Sequence, residues 1–92
     1  MKVEIYRNEI LFPVNGERNE KKLYEDIANV LRGFDETRIG ENVSGPWCDY
    51  RRGSVNGTEF KLVYDFDDDE TYITSEDKSC LEMLKIKLME VK

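Results

Sequence analysis

Asp65, Asp67, Asp69 and Glu76 fall at positions one, three, five and twelve of a calcium loop, the oxygen-ligand spacing of an EF-hand. Asp68 and Glu70 thicken the cluster, and no basic residue interrupts Asp65 to Glu70. Several residues depart from the calcium motif. Position six, where the sharp turn requires Gly, is Glu70, and position eight, normally apolar and β-branched, is Tyr72. Phe60, Leu62, Tyr64 and Phe66 recur with period two just before the loop, where the motif needs a helix. Clustered carboxylates at a turn then have two other uses. They blunt a sheet edge against strand addition, or they offer a partner a negative surface, because crowded like charge favours meeting something positive.

Other chemistry is thinly supplied. The chain has no histidine, which removes Ser-His-Asp and Cys-His catalysis and any His metal ligand. Two cysteines, Cys48 and Cys80, are too few for a structural zinc site. Cys48 beside Asp49 lacks an activating base and reads as a packed thiol. No Walker loop and no dinucleotide fingerprint is present. Paired carboxylates also serve glycosidases, but acids on a solvated turn keep ordinary pKa values and make poor general acids. The expectation is a protein that is not an enzyme, with no cofactor and no dedicated metal site.

Ninety-two residues predict one domain spanning 1–92 with a small core. Net charge is −6, from 20 acidic and 14 basic residues, so direct nucleic-acid binding is not expected. A basic protein partner fits that balance better. Apolar residues make up 39% of the chain, and their periodicity argues for a folded domain. Met1 to Tyr6 has no apolar core of a signal peptide, and Ile10-Leu11-Phe12 is far too short to span a bilayer. These features predict a cytoplasmic location, no membrane and reduced cysteines.

The elements follow from local pattern. Val3 and Ile5 open a strand, Asn8-Glu9 turns the chain, and Ile10 to Val14 form a second strand that Pro13 would confine to an edge. Asn15-Gly16 is a turn signal. Asn19 is placed to cap a helix whose apolar stripe is Leu23, Ile27, Val30, Leu31 and Phe34, with Gly33 in a left-handed cap. Thr37 to Val43 reads as a strand weakened by Gly40, and Ser44-Gly45-Pro46 as a turn. Asn56-Gly57 joins two strands, Trp47 to Val55 and Thr58 to Phe66. Asp67 to Asp69 turn the chain into a strand over 70–74. A hydroxyl-and-acid start at Thr74-Ser75-Glu76-Asp77 opens a last segment with Leu81, Leu84, Leu88 and Val91 at helical spacing. Leu84-Lys-Ile-Lys-Leu88 also alternates, so a strand is the competing reading there. The fold class is α+β: a mostly antiparallel β-meander sheet packed on one face by two helices.

Hairpin register decides which side chains share a face. A two-residue loop at Asn56-Gly57 puts Trp47, Asp49 and Arg51 opposite Phe66, Tyr64 and Leu62, on the apolar side. A three-residue loop with a bulge puts Cys48, Tyr50 and Arg52 there instead. The first is favoured because it brings Trp47 beside Phe66. In either register one Arg faces the core and needs an acceptor.

The run Gly45-Pro-Trp-Cys-Asp-Tyr-Arg-Arg-Gly53, then Asn56-Gly57, Phe60-Lys-Leu-Val-Tyr-Asp65 and the acidic turn, resembles the small immunity proteins of bacterial polymorphic toxin systems. These include the contact-dependent growth inhibition type. The likeness covers the C-terminal half and lies in size, acidity and hairpin style. It implies a cytoplasmic inhibitor that binds and blocks a cognate toxin domain, often a basic nuclease. Partner-binding residues would be Asp65, Asp67, Asp68, Asp69 and Glu70 for charge, with Trp47, Tyr50 and Tyr72 as aromatic anchors. The alternatives are a divalent-cation-binding module and an adaptor subunit of a larger assembly.

Overall fold

A computed structural model describes residues 1–14 and 16–91. The elements run β1 (Glu4–Tyr6), β2 (Glu9–Leu11), α1 (Glu20–Arg32), β3 (Thr37–Ile39), β4 (Val43–Ser44), β5 (Cys48–Val55), β6 (Thr58–Asp65), β7 (Glu70–Thr74) and α2 (Lys78–Met89). The seven strands make one antiparallel sheet in the order β1-β2-β7-β6-β5-β3, with β4 also paired to β5. Both helices cover the same face, so the class is α+β as the patterning implied.

Asn56 and Gly57 both adopt positive φ, 50° and 82°, which gives the hairpin its two-residue loop. Val55 therefore pairs with Thr58, and the ladder continues to Cys48 opposite Asp65. This is the register that turns Asp49 and Arg51 toward the helices. Side chains alternate across a strand, so one cross-strand row on that face is Ile5, Ile10, Ile73, Leu62 and Arg51. Tyr24, Ile27, Ala28 and Leu31 of α1 and Cys80, Leu81, Leu84 and Leu88 of α2 close over it, all buried. Gly53 sits opposite Phe60 on this face, and a Cβ there would come within 2.5 Å of the Phe60 ring. The ring occupies the space that a larger residue would need.

The helix ends differ in part from expectation. Asn19 caps α1 by accepting the Lys22 N–H at 3.0 Å. Gly33 ends that helix at φ −84°, a right-handed conformation; the left-handed residue is Glu36, at φ 65°. α2 is a helix, and Asp77 rather than Thr74 or Ser75 caps it, accepting from the Ser79 N–H and hydroxyl at 2.8 Å. Those bonds favour the charged form and hold the Asp77 carboxyl below its ordinary range. The Ser75 hydroxyl instead donates to the Glu59 carbonyl, tying the α2 entry to β6.

Two strand assignments need correction. β2 stops at Leu11, ahead of Pro13, and lies inside the sheet between β1 and β7. Pro13 does not mark an edge because it lies outside the ladder. The segment 37–43 is two short strands, broken where the Gly40 N–H turns to the Arg52 carbonyl at 2.8 Å. The turn expected at Asn15-Gly16 lies partly outside the described residues; Gly16 itself has φ 106°.

Candidate functional site: an uncovered sheet face with an acidic end

Among the described residues, the second face of the sheet carries no helix. Register places Val43, Tyr50, Val63, Tyr72 and Leu11 in one continuous cross-strand row on it. Val63 is only 6% exposed, with the half-buried Tyr50 and Tyr72 on either side of it in the row. The next row toward the β6–β7 turn is Cys48, Asp65 and Glu70; the next row the other way is Arg52, Lys61 and Thr74. An apolar ribbon thus lies between an acidic row and a basic row. The Lys61 ammonium sits over the Tyr50 ring, 5.2 Å from its centroid.

The acids expected to act together do share one end. Asp65 closes β6 and pairs with Glu70 at the start of β7, with Asp67, Asp68 and Asp69 exposed on the turn between them. Asp65 builds that turn: one carboxylate oxygen accepts the Asp67 and Asp68 N–H groups at 2.9 and 3.2 Å. Asp69 takes a left-handed φ of 49° and accepts the Tyr64 hydroxyl at 2.8 Å. The ion pairs among the described residues, Arg18–Glu20, Lys22–Asp26 and Arg51–Glu25, leave this end untouched. Burial, followed by the charges of Glu9, Asp68, Glu20 and Asp65, raises the Glu70 carboxyl above its usual range. Burial and then Glu9 raise the Tyr72 phenol as well.

The aromatics separate into two settings. Tyr50 and Tyr72 belong to the open-face ribbon. Trp47 precedes β5 and is 68% exposed; it is joined to Phe66 through a backbone bond, with the Phe66 N–H donating to the Trp47 carbonyl at 3.0 Å. The expected packing of Trp47 beside Phe66 is therefore a backbone pairing. The Phe66 ring rests edge-on against Tyr64 with centroids 5.6 Å apart, and it stays 41% exposed. Trp47, Phe66 and the acidic turn together form the most exposed apolar-and-acidic corner of the sheet.

The calcium-loop reading fails on geometry. β7 carries the chain from Glu70 to Thr74 before Glu76, so Glu76 lies beyond the opposite end of the strand from Asp65. Asp65 and Asp69 already accept protein donors. No group of three or more acids and thiols among the described residues is arranged to hold a metal ion. Both cysteines are free; Cys80 is buried in the core and Cys48 is half-buried beside the acidic row.

Sequence patterning did not identify a second polar cluster, under α1. Asp49, 7% exposed, accepts the Ser44 hydroxyl and holds β4 against β5. Arg51, predicted to need an acceptor, donates to the Gly40 carbonyl at 3.0 Å and to Glu25 at 3.3 Å, and its guanidinium lies 5.8 Å from the Tyr24 ring centroid. Tyr24 is fully buried and donates to the Asn42 side chain at 2.6 Å. Its phenol is pushed up to about 12, chiefly by burial, with the nearby Arg51 charge opposing. Between its ordinary value of 10.0 and about 12, the unfolded phenol has lost its proton and the folded one has kept it. Stability should be unaffected by this group below pH 10 and fall as pH rises to 12, by about 2 to 3 kcal/mol. Urea unfolding of the wild-type chain and of Tyr24→Phe at the two ends of that window isolates the loss, because the Tyr64 and Tyr72 phenols, also raised, contribute equally to both.

A broad hollow of about 980 Å³ opens at the other end of β6 and β7, lined by Arg52, Lys61, Thr74 and Ser75 together with Glu59, Glu76 and Asp77. Its charges are mixed, and it is remote from the acidic turn. No helix among the described residues is long and apolar enough to cross a membrane. Family models, curated proteins and solved structures give no match to this chain. The fold and surface define an α+β protein with one helix-covered face and one open face.

Proposed function

We propose that this chain is a non-enzymatic, cytoplasmic immunity protein of the bacterial polymorphic toxin or contact-dependent growth inhibition type. It would bind a cognate toxin domain, in our reading a nuclease, and block it. The observation that carries the proposal is the continuity between the uncovered ribbon of Tyr50, Val63 and Tyr72 and an acidic end whose carboxylates make no ion pair among the described residues. An apolar strip with aromatic anchors and a charged rim has the composition of a protein interface. Asp65, Asp67, Asp68, Asp69 and Glu70 would steer a basic partner, and Trp47, Tyr50 and Tyr72 would hold it once docked.

The test separates steering from folding. Asp67 and Asp68 are exposed and pair with no cation among the described residues, so Asp67→Lys with Asp68→Lys should leave the unfolding midpoint unchanged. Stopped-flow association with the toxin domain should slow by about tenfold or more at low salt and lose its salt dependence. Unchanged association kinetics would remove the acidic end from the interface. The adaptor reading draws on the same exposed ribbon, and it differs in predicting binding without growth protection.

A further inference from the structure

We infer that two copies of this chain pair weakly through the uncovered sheet face, about a two-fold axis that runs along the Val43–Tyr50–Val63–Tyr72–Leu11 ribbon. This goes beyond the toxin reading and does not depend on it. The inference rests on how charge is arranged about the ribbon. Arg52 and Lys61 lie two residues to one side of it and Asp65 and Glu70 two residues to the other. Rotation about the ribbon axis lays the ribbon on itself and reverses strand direction. The Arg52–Lys61–Thr74 row of each copy then lies across from the Cys48–Asp65–Glu70 row of its mate, with Lys61 over Asp65 and Glu70 one strand away, at the separation of roughly 10 Å usual for stacked sheets. A two-fold along the strands would instead stack acids on acids. Charge complementarity thus selects one arrangement, and the isologous symmetry makes every contact twice.

The residues are poised for it. Lys61 is exposed and makes no ion pair among the described residues, and its ammonium lies over Tyr50 within the ribbon. Glu70 is exposed, accepts no hydrogen bond among the described residues, and is crowded by Glu9, Asp68, Glu20 and Asp65. A lysine from a second copy would relieve that crowding. Three features hold the pairing weak: the net charge of −6 on each copy, the exposed Glu4, which pairs with Leu11 at the end of the ribbon and meets its own copy across the axis, and Glu9, which pairs with Thr74 in the basic row. A weak pair leaves the same face available to a different protein partner.

Sedimentation velocity over about 5 to 500 µM reads the association directly. The wild-type chain should shift from monomer to dimer within that range. Lys61→Glu and Asp65→Lys should each weaken dimerisation by about tenfold or more, since each then faces like charge across the axis. The double variant restores opposite charges across the axis and should return to within about threefold of wild type. A wild-type chain that stays monomeric throughout would overturn the inference, as would a dimer that the single variants leave intact or the double variant fails to rescue. None of these measurements involves a toxin domain, so failure here and failure of the toxin reading are separable.

Discussion

Leu62→Ala should lower the unfolding free energy by about 2 to 5 kcal/mol. Leu62 is fully buried at the centre of the longest hairpin, paired across the ladders with Arg51 on one side and Ile73 on the other. Both helices pack on β6 above it. Truncation leaves a void that a sheet held on both sides has little freedom to close, so the cavity term adds to the lost transfer energy. Domains of this kind have only about 5 to 15 kcal/mol in reserve, so the effect is a large part of the total. Ile86→Ala, on the exposed side of α2, serves as the control and should stay within about 0.5 kcal/mol of wild type. Urea titration of both variants decides the matter. Equal midpoints would mean that the helix-covered face has been assigned to the wrong side of β6.

Trp47→Ala should have the largest effect on binding: dissociation of the toxin complex faster by about 30-fold or more, equivalent to about 2 kcal/mol. The indole is exposed in the isolated chain, next to Phe66 and the acidic turn. A large rigid side chain in that position gains contact area on docking at little entropic cost, and water exclusion around it strengthens the neighbouring charge contacts. The isolated protein should unfold at the wild-type midpoint, since little of the side chain is buried. Surface plasmon resonance gives the two rates separately. A variant that slows association but leaves dissociation alone would assign Trp47 to steering and not to the docked contact.

Local pattern foretold most elements because the deciding forces are local. Asn56-Gly57 set the hairpin register through two left-handed residues, and the register alone sends Arg51 inward and Tyr50 outward. Capping by Asn19 and the apolar stripe of α1 are likewise written in neighbouring residues. What local pattern did not identify depends on contacts between distant segments. Nothing near Ile10 announces that β2 pairs with β7, some sixty residues on, whereas the nearby Pro13 points to an edge. The same gap concealed the open-face ribbon. Val43, Val63 and Leu11 become neighbours of Tyr50 and Tyr72 only through four separate ladders. Cys48, Lys61 and Val63 also belong to that face; the two-residue register places them there by alternation, a signal present in the sequence. Gly33 illustrates a different limit: a glycine permits a left-handed cap but does not require one, and here Glu36 takes the left-handed position.

The role we propose for this chain is neutralising a toxin through its open face and acidic end. Growth protection tests it most directly. The chain is co-expressed in bacteria with the C-terminal domain of any large toxin-like protein encoded beside it, alongside a variant combining Trp47→Ala, Asp67→Lys and Asp68→Lys. The prediction is restored growth and a co-purifying complex with the wild-type chain, and loss of both with the variant at equal expression. Growth arrest with the wild-type chain, or full protection by the variant, would contradict the account.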